Sequence, residues 1–246
     1  MGVSKTYYEN APIILSIIQF RYNKIERFDI NIVKEIAKRF KSNFPVVNER
    51  FVQSIVVNND SSETSVSLED KQFDGIQVIS KNRQEIFTIT ETKFTFQSHE
   101  KYTGWDNFIK NAFKFWDEFN EFFDLNELNG ISLRYVNKIK LPLDVKEISK
   151  YFNTYLKDDK NSFSISNFQF RFTTLDRENN FNINISHILD TPLEDSVPYI
   201  FDIDILYNSV IKNDRELVIS LFEKIRDKKN QLFNEGITEE TKKIIS

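Results

Sequence analysis

The sequence predicts an α+β protein built from two packed halves, each ferredoxin-like or a degenerate form of that fold, with mainly antiparallel sheets and amphipathic helices. Apolar and polar residues alternate with period two in several stretches, as they do in strands with one buried face. Two long stretches have apolar residues at helical spacing. The elements up to residue 142 follow the order strand, helix, strand, strand, helix, strand, which is typical of the ferredoxin-like split βαβ unit.

The N-terminal half, residues 1–142, begins with a strand and a helix. Ile18, Phe20 and Tyr22 alternate with polar residues and predict a strand with one buried face. Asp29 is a suitable N-cap for the helix that follows, and Pro45 cannot continue that helix. The apolar stripe of this helix consists of Ile32, Val33, Ile36, Ala37 and Phe40.

The middle of this half predicts strands and an exposed segment. Residues 58–74 are polar, acidic and rich in Ser, and we expect an exposed loop or a weak edge hairpin there. Residues 75–80 and 85–97 are rich in β-forming residues. The alternation changes phase between Ile89 and Phe94, which requires a turn or bulge near residues 91–93.

An aromatic helix and a long strand complete this half. The apolar residues of the helix recur at heptad-like spacing and are Phe108, Ala112, Phe115, Phe119 and Phe122. We expect these side chains to form the core, since each buried ring removes a large apolar area from water. The strand covers residues 130–142.

The C-terminal half, residues 143–246, predicts the order αβββα. It is expected to pack closely on the first half, either as a second domain or as part of one domain. Residues 144–156 predict a short helix, and strands follow at 163–174, 181–188 and 199–207. The last helix is expected to bury Leu217, Leu221, Ile225, Leu232 and Phe233 and to end or break near Gly236.

Composition excludes several kinds of chemistry. The chain of 246 residues has no Cys, so disulfides, thiol nucleophiles and cysteine-ligated metals are excluded. Two His residues leave little for a histidine metal cluster, and a net charge of -4 gives no general attraction to nucleic acid. No apolar run reaches the roughly 18 residues that span a bilayer, and the first residues lack the apolar core of a signal peptide. We therefore expect a cytoplasmic protein without a membrane segment or a cofactor.

Polar residues at unusual positions in two strands are the candidate site. In "ISLRYVNKIKLP", Arg134, Lys138 and Lys140 lie opposite the apolar face, whereas Asn137 falls on the apolar face. In "FDIDI", Asp202 and Asp204 lie opposite the apolar residues. If the two strands are neighbours, Arg134 is expected to pair with Asp202 or Asp204. The set is then either a structural ion-pair cluster or part of a ligand site.

Individual residues favour structural roles. Asn137 is expected to hydrogen-bond to backbone at a strand irregularity. His187 alternates with Phe181 and Ile185, which favours a core histidine over a general base, and His99 is expected to be exposed.

At this point the order of motifs resembles an uncharacterised, sporadically distributed bacterial family of about 250 residues. The resemblance covers nearly the whole chain and is most specific in "LRYVNKIKLP" and "FDIDI". It implies the architecture and draws interest to Arg134, Asn137, Asp202 and Asp204, but it implies no reaction because the family has no established activity. The chain has Phe222 where many relatives are expected to have a histidine, which disfavours a catalytic imidazole on the last helix.

The leading prediction for function is a non-enzymatic interaction module that acts with a partner protein, with a second copy of itself, or with an anionic ligand. An RNA-binding or RNA-processing protein is the alternative, because duplicated ferredoxin-like domains often bind RNA. A metal-dependent phosphotransfer enzyme that uses Asp202 and Asp204 is less favoured, since such sites need a further acid and phosphate-positioning loops.

Overall fold

A computed structural model describes Tyr8 and residues 10–26, 28–53, 55–59, 64–68, 70–156 and 167–246. In this part of the chain the fold is mixed α+β, with a large antiparallel sheet and four α-helices. The α+β class and the antiparallel pairing predicted from the sequence are thereby confirmed. No helix in these ranges is long and apolar enough to cross a membrane.

The elements follow one another along the chain with few long connections. The helices are α1 (Ile30–Arg39), α2 (Trp105–Phe123), α3 (Arg215–Gly236) and α4 (Glu239–Ile245). The strands are β1 (Ile13–Arg21), β2 (Val46–Val52), β3 (Ile55–Asn59), β4 (Thr64–Leu68), β5 (Gln72–Ile79), β6 (Glu85–Ile89), β7 (Lys93–Ser98), β8 (Glu127–Leu128), β9 (Gly130–Leu141), β10 (Phe168–Asp176), β11 (Phe181–Leu189), β12 (Val197–Tyr207) and β13 (Ile211–Lys212).

Nine strands form the main sheet in the order β10-β11-β12-β9-β1-β7-β6-β5-β2. The two predicted halves meet where β12 pairs with β9, in a ladder that extends from Val197 opposite Leu141 to Tyr207 opposite Ile131. Both halves therefore contribute strands to one continuous sheet. The pairs β3–β4 and β8–β13 form two small additional sheets.

Several local predictions are confirmed. The side chain of Asp29 caps α1 by accepting a hydrogen bond of 2.7 Å from the amide of Asn31. The phase change after Ile89 is a turn between β6 and β7. Helix α3 ends at Gly236, and the short helix α4 follows it.

The predicted helix over residues 144–156 is wrong, because that segment has only a 3₁₀ turn over Ile148–Lys150. Its backbone groups pair with the linker between α3 and α4 instead of with each other. Phe152 forms a β-bridge with Ile237, and the carbonyl of Tyr151 accepts the amide of Thr238. A backbone that makes these tertiary hydrogen bonds cannot also close helical turns.

Two other regions refine the sequence prediction. Strand β2 was not predicted, and it forms one edge of the main sheet by pairing with β5. The polar stretch 58–74 includes the end of β3, all of β4 and the start of β5. Residues 60–63 and 69, and residues 163–166 of the predicted strand 163–174, lie outside the described residues.

Aromatic side chains fill the layer between the sheet and the helices. Phe20 of β1 stacks on Trp116 of α2 and contacts Phe222 of α3 edge to face. Four of the five predicted core residues of α2 are buried: Phe108, Ala112, Phe115 and Phe119. Phe122 is 40% exposed and lies beneath the guanidinium of Arg39, so its predicted core position is wrong.

Candidate functional site

One face of the main sheet bears the helices, and we call the other the open face. On the helix-covered face, Phe201 of β12 packs against Phe233 of α3, and Phe94 of β7 packs against Phe119 of α2. In the described ranges no helix packs on the opposite side. Residues that alternate with these aromatics form the open face, and its central members are Gln19, Thr95, Ser132, Arg134, Val136, Lys138, Asn184, Ile200, Asp202 and Asp204.

Arg134 and Asp202 form a two-point ion pair at the centre of the open face. Nε of Arg134 donates to Oδ1 of Asp202 at 2.9 Å, and Nη2 donates to Oδ2 at 2.6 Å. The pair is diagonal, because the residue directly opposite Arg134 is Asp204. The Arg134 side chain is 43% exposed and that of Asp202 is 11% exposed. The hydrogen bonds to Asp202 raise the pKa of Arg134. The ion pair predicted from strand parity is present.

Asp204 lies beside this pair but has no ion pair within the described part of the chain. Its strongest contact is a long hydrogen bond of 3.4 Å from Nδ2 of Asn184 on β11. Burial raises the pKa of Asp204, and repulsion from Asp202 adds to this effect, whereas Asn184 and Arg134 oppose it. Asp204 is therefore a half-buried carboxylate whose hydrogen-bonding capacity is mostly unused.

Arg21 of β1 is a second residue on the open face with unused capacity. Its Nη2 donates to the carbonyl of Tyr207 at 3.2 Å and to the side chain of Asn208. Its Nε is buried and has no hydrogen-bond partner among the described residues, and burial lowers the pKa of Arg21. Gly130 makes this packing possible, because its φ is +142° and a Cβ there would lie 2.6 Å from Nη2 of Arg21.

Asn137 is separated from this cluster by the sheet itself. It lies on the helix-covered face, where its Nδ2 donates to the carbonyl of Phe201 at 2.9 Å. The β1–β9 ladder shifts register between Ile13 and Leu15, next to Asn137. The prediction that Asn137 binds backbone at a strand irregularity is confirmed.

The basic residues of β9 differ in their surroundings. Lys138 is half-buried on the open face, two residues along the strand from Val136. Lys140 is exposed and pairs with Asp195 at 3.2 Å. The structure thus brings together Arg134, Asp202 and Asp204, with Lys138 near one end of the group. A role of this group in ligand binding stays a prediction.

The two histidines occupy the predicted environments. His187 is 1% exposed and its Nδ1 lies 2.9 Å from the hydroxyl of Tyr199, between the stacked rings of Phe170 and Phe201. Burial lowers the pKa of His187 to about 4, so the imidazole is neutral at neutral pH. His99 is exposed.

The open face offers few free ligands for a metal ion. Both carboxylate oxygens of Asp202 already accept hydrogen bonds from Arg134. No group of three or more His, Cys, Asp or Glu residues suited to a metal occurs in the ranges that the structure describes.

The sequence prediction missed a buried cation on the helix-covered face. Lys229 of α3 is 7% exposed, and its Nζ lies 4.1 Å from the ring centroid of Tyr135. The hydroxyls of Tyr135 and Tyr102 are 3.3 Å apart. Burial, with a smaller contribution from the nearby charge of Arg226, lowers the pKa of Lys229 to about 7. A signal for this position existed, since Lys229 follows Ile225 and precedes Phe233 by four residues each.

Comparison with known proteins does not assign a function to the open face. No protein-family model matches the chain, and no curated protein is significantly similar to it. A functional interpretation of the open face therefore depends on its residues, their contacts and their burial.

Proposed function

We propose that the protein is a cytoplasmic, non-enzymatic interaction module whose open face binds a partner protein, either a different protein or a second copy of the chain. The observation that carries the proposal is a sheet face that no described helix covers, with half-buried, incompletely hydrogen-bonded ionisable groups at its centre. Among the described residues, Asp204 has one long hydrogen bond. A partner that donates a hydrogen bond to Asp204 would satisfy this carboxylate.

The size of the open face supports a macromolecular partner. Strands of a sheet lie about 4.8 Å apart, so nine strands extend about 40 Å across. With strands about 20 Å long, the face covers on the order of 800 Å². That area is close to the roughly 800 Å² that each partner contributes to a stable protein–protein interface.

The composition of the open face also fits a protein interface. Ile17, Val136 and Ile200 are half-buried apolar residues that lie among the charged and amide side chains. Protein interfaces that form reversibly combine apolar and polar area in this way. An anionic ligand is a narrower version of the same proposal, since Arg21, Arg134 and Lys138 outnumber the two carboxylates.

RNA binding is the alternative, and the topology is the observation that favours it. We infer that residues 1–142 form a ferredoxin-like unit, because β9, β1, β7 and β6 are neighbours in that order, with α1 and α2 in the connections. Residues 143–246 would be a degenerate second unit of three successive strands and a helix. Sheet-surface RNA binding depends on exposed aromatic rings, whereas the rings of β1, β7, β9 and β12 lie on the helix-covered face. Because the open face lacks such rings on these strands, RNA binding is a weaker proposal than binding of a partner protein.

The experiment tests partner capture with variants of the open face. Tagged wild-type protein is used to isolate partners from the native host, and the binding of each purified partner is then measured. Asp204→Lys and Lys138→Glu are expected to abolish binding. Lys110→Glu on the exposed side of α2 is the matched control and should bind like the wild type.

Other outcomes would contradict the proposal in defined ways. Equal partner binding by all variants would exclude the open face. Copurifying RNA that Lys138→Glu removes would favour the alternative function. A Mg²⁺-dependent rise in melting temperature that disappears in Asp202→Asn would favour a phosphotransfer enzyme.

A further inference from the structure

A cleft on the helix side of the molecule lies between the end of α1, the β5–β6 turn and the middle of α2. Its volume is about 660 Å³, within the range of about 300 to 1,000 Å³ that is usual for small-molecule sites. The rings of Phe44, Phe87 and Phe115 form its apolar floor and pack against one another. This cleft is separate from the open face, so it is independent of the proposed function.

Two carboxylates line the cleft above the aromatic floor. Glu85, at the start of β6, accepts a hydrogen bond of 3.3 Å from Nδ2 of Asn111. Glu100, in the segment before α2, accepts one of 2.7 Å from Nδ2 of Asn82. Neither carboxylate has an ion pair with any described residue. Both are thus held by neutral amides instead of by an ion pair.

The hydrogen bonds around Asn82 fix one side of the cleft in advance. Oδ1 of Asn82 accepts from the hydroxyl of Ser80 at 2.7 Å and from the amide of Gln84 at 3.1 Å. The same hydroxyl accepts the amide of Glu85 at 2.9 Å. The turn itself therefore orients the amide group that holds Glu100. Because this side chain is already ordered, ligand binding costs less conformational entropy.

The charges in the cleft are unbalanced at Glu85. Burial raises the pKa of Glu85 most, and repulsion from Glu100 raises it more than attraction to Lys114 lowers it. Nζ of Lys114 lies 5.6 Å from the ring centroid of Phe40, and Lys114 forms no ion pair with Glu85. Lys81, on the β5–β6 turn, is the other cation that lines the cleft, and it has no ion pair among the described residues.

We propose that this cleft binds a small organic cation, an ammonium group attached to an apolar body, with the ammonium near Glu85 and Glu100 and the apolar body against the edges of Phe44 and Phe115. An ammonium group donates up to three hydrogen bonds and so has enough donors for both carboxylates. The apolar body packs against the exposed edges of Phe44 and Phe115, which are each 6% exposed. A divalent metal ion fits less well, because Ca²⁺ takes six to eight oxygen ligands.

The test uses 2-phenylethylammonium chloride as the probe and titration calorimetry at constant ionic strength. Wild-type protein is expected to bind it with a dissociation constant on the order of 1 mM or lower. Glu85→Gln and Glu100→Gln should each weaken binding about tenfold, as expected for loss of a charge-assisted hydrogen bond. Glu121→Gln, an exposed position on α2, is the matched control and should bind within about twofold of wild type.

A second measurement does not depend on variants. Lowering the pH from 7 to 4.5 should weaken binding to the wild type, because protonation of Glu85 removes the charge that the ammonium contacts. Equal affinity of wild type and both glutamine variants, or equal binding of neutral 2-phenylethanol, would overturn the proposal. Stabilisation by CaCl₂ without binding of the ammonium probe would also overturn it in favour of a metal site.

Discussion

Arg134 and Lys229 are two cations on opposite sides of strand β9, and the protein accommodates them differently. Arg134 lies on the open face, where its side chain is 43% exposed and pairs with Asp202. Lys229 approaches the neighbouring residue, Tyr135, from α3, and it is 7% exposed. Within the described ranges no carboxylate forms an ion pair with Lys229.

The difference shows how burial and counter-charge determine the ionisation of the two faces. Hydrogen bonds to Asp202 raise the pKa of Arg134, whereas burial lowers that of Lys229 to about 7. The open face can therefore present a fixed positive charge to a partner at any physiological pH. The helix-covered face instead penalises charge, and the contact of Lys229 with the Tyr135 ring offsets only part of that penalty.

Replacement of Lys229 by Met should produce the largest effect. The unfolded chain holds this proton up to a pH near 10.5, whereas the folded protein loses it near pH 7. Between these values the unfolded state binds more protons, so the free energy of unfolding should rise with pH. Lys229→Met removes the penalty and should stabilise the protein at pH 6 by at most about 5 kcal/mol. Urea unfolding at pH 6, 8 and 10 measures this.

Lys224→Met, at an exposed position of the same helix, is the control for that measurement. It should change neither the free energy of unfolding nor its pH dependence by more than about 0.5 kcal/mol. A wild-type stability that stays constant from pH 7 to 10, or a strongly destabilised Lys229→Met, would mean that Lys229 is charged and stabilising in the folded protein. The contrast with Arg134 would then disappear.

Helix α3 shows which part of a helix the sequence predicts and which part it does not. Its existence and its end at Gly236 follow from apolar spacing and glycine, both local signals. The buried stripe was predicted only in part, because Ile225 and Phe233 are buried whereas Leu217 is 47% exposed. The buried residues are Val218, Phe222, Ile225, Lys229 and Phe233. A lysine within the stripe cannot be identified as buried from its residue type, since lysine is rarely found fully buried.

The open face shows the same limit for the sheet. Strand parity placed Arg134, Asp202 and Asp204 on a common side because side chains alternate with period two. Parity alone does not give strand order, so the contact of Asn184 with Asp204 and the position of Arg21 near Tyr207 required the structure. The absence of a helix over residues 144–156 is a further case, since the hydrogen bonds that replace it come from residues more than 80 positions away.

Removal of the Arg134–Asp202 pair should have an intermediate effect. Arg134→Ala leaves the mostly buried Asp202 carboxylate without its two hydrogen bonds, and we expect a loss of about 1 to 3 kcal/mol in the free energy of unfolding. A double-mutant cycle with Asp202→Ala should give a coupling energy of at least about 0.5 kcal/mol. Lys140→Ala, which removes an exposed pair with Asp195, should cost less than about 1 kcal/mol. Independent effects of Arg134 and Asp202 would show that the pair contributes nothing to folding.

Asp204→Asn should have the smallest effect on stability and the clearest effect on function. The pKa of Asp204 is raised in the folded protein, so its contribution to stability is fully present below the unfolded pKa of about 3.9 and is lost as pH rises through the folded value. Asparagine cannot ionise, so at pH 7 the Asp204→Asn variant should be at least as stable as the wild type. The gain in the free energy of unfolding should be less than about 1 kcal/mol. Thermal unfolding at pH 4 and pH 7 should show that this difference grows with pH.

If Asp204 contacts the partner through its charge, the same variant should be folded and stable at pH 7 but bind the partner at least about tenfold more weakly. Full binding by the stable variant would assign Asp204 to the fold alone, and a loss of stability at pH 7 would show that its charge is satisfied within the protein.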